Sequence, residues 1–188
     1  MQEHNSLEGV SEDHSILTTR SIPETGFLGR WVIKAGPIFA YGILISMAVL
    51  MMEVVLRYVF HAPTIWAHET TTFLTALSFV FGGLYCIANN RHIRVVMLYD
   101  RLTVKWRRIF DVIISLINFI AAGFLAWAAW QMVQRAAFAP DGTIRIQTSG
   151  SAWDPVFPGI LKIFLLIVLI LMALQFAILS VNYFRRRH

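Results

Sequence analysis

The sequence predicts an all-α integral membrane protein of four transmembrane helices, with an interfacial cytoplasmic connector between the second and third. Three observations carry that expectation. Hydrophobic residues make up 57% of the 188 and charged residues only 14%, an apolar share well above that of a soluble domain. Runs from Ile38 to Phe60 and from Thr70 to Ala88 are each long enough to cross a hydrocarbon core of roughly 30 Å as helices. The Lys and Arg residues stand at the ends of such runs rather than within them, which is the placement that bilayers select.

Taken in order, residues 1–26 are polar, rich in Glu, Ser, Thr and His, and read as a mobile cytoplasmic tail too poor in apolar surface to fold alone. No basic start followed by an apolar region marks a cleavable signal there, so the first membrane helix is expected to act as an uncleaved targeting segment. Residues 27–188 form the membrane domain. Helix one is expected at about 31–60, with Pro37 near its entrance, where proline is tolerated best. Helix two follows at about 67–88, across a link from His61 to Glu69 short enough to force an antiparallel hairpin. Helix three is expected at about 109–137 and the Leu- and Ile-rich helix four at about 159–184. Between helices two and three, residues 93–108 alternate Val95, Leu98, Leu102 and Trp106 with Arg94, Arg101, Lys105 and Arg108. That pattern fits a helix lying in the cytoplasmic interface; a plain solvated connector is the bland alternative.

Basic residues orient the spans. Arg20, Arg30, Lys34, Arg91, Arg94, Arg101, Lys105, Arg107, Arg108 and Arg185 to Arg187 fall on the side of the termini and middle loop. The other side has only Arg57, Arg135, Arg145 and Lys162. The positive-inside rule therefore places both termini in the cytoplasm. The net charge of +5 is thus accounted for by lipid and orientation, and a nucleic-acid partner is not expected.

Candidate chemistry is sparse and gathers at the hairpin tip. Glu53 and Arg57 are four apart with the acid first, the favourable order for a helical pair, and Glu69 opens helix two across the turn. A charge in or near hydrocarbon normally has a partner or a function. The three residues are read as a structural clasp closing the hairpin, in preference to a proton or ion site. Thr71, Thr75, Ser78 and Gly82 on helix two, and Asn118 with Ser115, Ala122, Ala126 and Ala129 on helix three, form stripes that suit close helix packing rather than a substrate path. None of the six histidines lies mid-span, which removes a haem clamp between helices. His61, His68 and Glu69 as metal ligands are a weak signal beside a satisfied interfacial cluster. Cys86 has no partner in the chain and reads as a small buried apolar residue. No catalytic motif is present, so no enzyme activity and no cofactor are expected of this chain.

Several short motifs follow one another along the chain: RYVF at 57–60, Pro63, Trp66, Glu69, Gly82-Gly83, HIRV at 92–95, Leu98, Arg101-Leu102 and Arg107-Arg108. Later come Ser149, Ser151, Trp153, Asp154-Pro155, Pro158, Lys162 and Leu174-Gln175. Their order resembles the DctQ-like small membrane subunit of tripartite ATP-independent periplasmic (TRAP) transporters. His68 stands where the family pattern has a second acid, and Val96 where it often has one. The resemblance implies a bacterial inner-membrane subunit working with a large multi-span permease and a periplasmic solute-binding protein. Such systems import organic acid-like solutes on an ion gradient, typically sodium, which the large subunit would bind. Glu53, Arg57, Trp66, Glu69, His92 and Arg94 are then the candidates for the clasp or the partner interface. A self-sufficient proton-coupled exporter using Glu53 and a membrane anchor of a redox complex are the competing classes.

Overall fold

The computed structural model describes residues 26–89, 104–138 and 142–185. They form four helices: α1 (Gly26–Tyr58), α2 (Trp66–Ala88), α3 (Val104–Ala137) and α4 (Phe157–Arg185). All four are long and apolar enough to cross a membrane, and no strand occurs among the described residues. Helices are the solution that hydrocarbon imposes, because every backbone N–H and C=O must be satisfied within the segment. The tail and residues 90–103, including His92 and Arg94, lie outside the described residues.

Two helices start more than a turn earlier than the sequence suggested, each for a local reason. α1 begins at Gly26 rather than near Trp31. Its added turn carries contacts at helical spacing: the Phe27 and Trp31 rings meet edge-on at 6.1 Å, and the Arg30 guanidinium sits 5.9 Å from the Phe27 ring. α3 begins at Val104 rather than near Ile109, so the end of the expected connector is already the first turn of that helix. Nothing in Val104–Arg108 breaks a helix, and its Lys and Arg residues are good helix formers. α1 ends at Tyr58, short of Phe60, because His61 turns the chain at φ 51° and Ala62 N–H donates back to the Leu56 carbonyl at 3.0 Å.

α2 and α4 form the centre. α1 packs on α2, α3 packs on α4, and α1 meets α4 only marginally. The Phe39 ring of α1 stacks on Phe81 of α2 at 3.9 Å and reaches Phe164 of α4 at 5.8 Å. Three apolar clusters hold the layer. Val32, Phe81, Leu84, Ala88 and Val168 join α1, α2 and α4; Ile87, Ala122, Phe176 and Leu179 join α2, α3 and α4. Ala129, Leu166 and Leu169 hold α3 to α4. Close approach needs small residues, since lipid gives no hydrophobic drive to helix pairing. A Cβ on Gly36 would lie 2.6 Å from the Tyr85 ring, so a larger residue there would force that ring or the α1–α2 spacing to shift.

The α3–α4 connector folds back onto helix ends. Arg145 N–H bonds the Ala137 carbonyl at 2.9 Å and Gln147 N–H bonds the Ala136 carbonyl at 2.8 Å, satisfying two of the carbonyls that a helix C-terminus leaves free. Gly159 N–H donates to the Gln147 carbonyl at 3.2 Å. Gly150, at φ 74°, and Asp154, at φ 48°, close a tight loop in which the Asp154 carboxylate accepts the Gly150 N–H at 2.8 Å. The α1–α2 and α3–α4 connections thus form one end of the molecule, here termed the tip end.

Candidate functional site at the tip end

Glu53 lies one and a half turns from the end of α1. Its carboxylate accepts two bonds from the Arg57 guanidinium, at 3.2 Å from Nε and 2.5 Å from Nη2, the i, i+4 pair that the spacing predicts. The other oxygen accepts the Thr64 backbone N–H at 3.1 Å and the Thr64 hydroxyl. Glu53 therefore joins the end of α1 to the residue two before α2 begins. The pair is asymmetric: the Arg57 side chain is 51% exposed and that of Glu53 only 9%. The buried member is the acid, and it draws its donors from both sides of the turn. The part of Thr64 was not evident in the sequence. Its one signal is a hydroxyl residue placed just after Pro63 and just ahead of a helix start, where such side chains commonly serve backbone geometry.

Glu69 takes a different partner. The ion pair of Arg57 is with Glu53, while Glu69 Oε1 accepts from the Ser149 hydroxyl of the α3–α4 connector at 3.3 Å. Ser149 Oγ also lies 3.0 Å from Ser151 Oγ, and Ser151 Oγ accepts the N–H groups of Trp153 and Asp154 at 3.2 and 3.1 Å. Glu69 thus links α2 to the second connector, whereas Glu53 and Arg57 serve the first. Its other oxygen, Oε2, is buried and has no hydrogen-bond partner among the described residues. Beside it lies a cavity of about 320 Å³ lined by His68, Glu69, Thr72, Phe73, Ser149, Phe157, Pro158 and Leu161. Stacking of Phe73 on Phe157 at 4.4 Å, with Trp153 edge-on to Phe157 at 5.4 Å, fixes its apolar wall. Lys162, next in sequence to Leu161, is engaged by the Gln147 side chain.

The remaining candidates fall as follows. Trp66 is the first residue of α2 and is 39% exposed. Thr71 and Ser78 are buried, and Thr75, Gly82 and Asn118 are half-buried. Thr71 Oγ1 bonds its own helix at Ala67 and His68. Ser78 Oγ lies 2.9 Å from both the Leu74 carbonyl and the Phe39 carbonyl of α1, and a Cβ on Gly42 would come within 3.2 Å of it. Ser115, Ala122 and Ala129 are buried on α3. Among the described residues no three His, Cys, Asp or Glu side chains gather as a metal site; His61, His68 and Glu69 are not brought together as one. Cys86 is exposed along α2, not the buried filler expected of it, since its position on the helix points away from the α4 contact.

These features define a multi-pass membrane protein whose polar side chains lock helices and connectors together. Residues 46–186 match the family described as tripartite ATP-independent periplasmic transporters, DctQ component. The chain belongs to that family, and is a TRAP transporter small subunit rather than a member of an enzyme family. Comparison with curated proteins finds no match.

Proposed function

We propose that this chain is the fixed scaffold of its transporter. It pairs in the bacterial inner membrane with a large multi-span permease subunit, and a periplasmic solute-binding protein delivers an organic acid-like solute. Uptake runs on an ion gradient, typically sodium, bound by the large subunit; this chain holds no cofactor and catalyses no reaction. Both termini face the cytoplasm, and the tip end faces the periplasm.

The observation that carries this reading is the engagement of Glu53. A carboxylate that must load and release a proton or ion in each cycle needs an accessible, exchangeable partner set. Glu53 instead accepts four bonds from Arg57 and Thr64, which supports a structural part and disfavours the exporter that would use it. The purified chain, reconstituted alone in vesicles, is expected to transport nothing under any ion gradient. Co-expressed with a large permease subunit it should co-purify, and with the binding protein added the vesicles should take up solute. Gradient-driven uptake by this chain alone would overturn the scaffold reading.

A further inference from the structure

The cavity beside Glu69 holds a carboxylate that the described residues leave half-served. Glu69 Oε1 has only the long 3.3 Å bond from Ser149, and Oε2 is buried without a partner. A buried acceptor left unpaired is costly, more so when charged, so a donor supplied from outside is expected to be held firmly. Among the described residues no cation pairs with Glu69: Arg57 is committed to Glu53 and Lys162 to Gln147. His68, which also lines the cavity, makes no ion pair with Glu69.

The cavity also has a direction. Ser149 lies in the connector, and His68 and Glu69 are in the first turn of α2, so the polar groups sit at the outer rim. Phe73 and Leu161 lie deeper along α2 and α4, so the walls become apolar towards the middle of the spans. A lysine or arginine rising from a neighbouring membrane helix has the matching profile, an aliphatic stem and a charged head that reaches for the interface. About 320 Å³ accommodates one such side chain with a few waters. The stacked Phe73 and Phe157 rings hold the wall in place before anything enters, which lowers the ordering cost of binding.

We infer that this cavity is a socket for a basic side chain of the large permease subunit, with the Glu69 carboxylate as its counter-charge and Ser149 as an orienting group. The inference rests on the scaffold reading above. Its test uses the full chain co-expressed with the large subunit. A photoreactive benzoylphenylalanine at Thr72, a cavity residue exposed at the rim, should crosslink to a large-subunit peptide containing Lys or Arg. Glu69→Gln keeps the shape and the Ser149 contact and removes the unpaired charge, so the isolated chain should unfold at or above the wild-type temperature. Recovery of the complex should nevertheless fall about tenfold, the equivalent of about 1.4 kcal/mol, and the loss should be greater for Glu69→Lys. Changing the crosslinked basic residue to Glu should restore recovery with Glu69→Lys. Crosslinks to lipid alone, to the binding protein alone, or to no protein while the wild-type complex forms would each overturn the socket. So would a Glu69→Gln complex recovered at wild-type yield. If the wild-type chain pairs with no large subunit, the scaffold reading itself fails, and the socket with it.

Discussion

At the scale of single residues, burial rather than formal charge decides which member of an ion pair matters most. Arg57 is half exposed and has one partner, so its loss leaves Glu53 still accepting from Thr64. Loss of Glu53 strands the guanidinium and both Thr64 donors at once. Glu53→Ala is therefore expected to lower the unfolding temperature in detergent more than Arg57→Ala does, with Thr64→Val between wild type and Glu53→Ala. An Arg57→Ala variant less stable than Glu53→Ala would reverse the assignment. His61 offers a second measurement. Its φ of 51° costs a non-glycine residue roughly 1–2 kcal/mol, histidine being among the more tolerant. His61→Val should destabilise by about 1–2 kcal/mol, because β-branched residues fit this region worst. His61→Gly should be close to neutral, as relief of strain is offset by about 0.4–1 kcal/mol of unfolded-chain entropy. Calorimetry of the two variants against wild type reads the difference. The Glu53–Arg57 pair was legible from a spacing of four. Thr64 and Ser149 were not, since a hydroxyl that serves a carboxylate 11 or 80 residues away leaves no periodic trace.

At the scale of elements, the four spans were legible because the bilayer leaves little choice: a long apolar run must be a helix or remain unsatisfied. Helix starts were less so. Where Gly26–Arg30 and Val104–Arg108 pass into polar surroundings, composition no longer distinguishes helix from connector, and side-chain pairs such as Phe27 with Trp31 decide it. Glycines separate packing from mere permission. A Cβ on Gly159 would press into the Ile146 side chain and come within 3.0 Å of the Gln147 carbonyl oxygen. That oxygen belongs to backbone, which cannot swing aside. Gly159→Ala should therefore destabilise by about 1–3 kcal/mol as overpacking does, even after its gain in helix propensity. Gly123, mid-way along α3, has open space around it, so Gly123→Ala should stabilise the isolated chain by up to about 1 kcal/mol. Thermal unfolding in one detergent measures both, and shifts of the same sign would contradict the packing account of Gly159.

At the scale of the whole molecule, orientation follows from where the helices place charge. The tip end carries Arg57, Arg135, Arg145 and Lys162, while the twelve other Lys and Arg residues of the sixteen fall at 20–34, 91–108 and 185–187 in the sequence. Two of the four tip-end cations are spoken for: Arg57 by the Glu53 carboxylate, and Lys162 by the Gln147 side chain. The orientation proposed above has the tip end outside, because Lys and Arg resist translocation against the membrane potential. In that proposed orientation the Glu53 cluster and the Glu69 cavity would share the periplasmic side. A reporter active only in the cytoplasm should work when fused after His188 and fail when inserted at Gly142, in the exposed loop between α3 and α4. A reporter active only in the periplasm should give the reverse. Because the two connections of the tip end are tied through Glu69 and Ser149, they must lie on one side together. Insertions at Pro63 and Gly142 that reported opposite compartments would contradict the four-span arrangement itself, whereas a uniform inversion would overturn only its orientation.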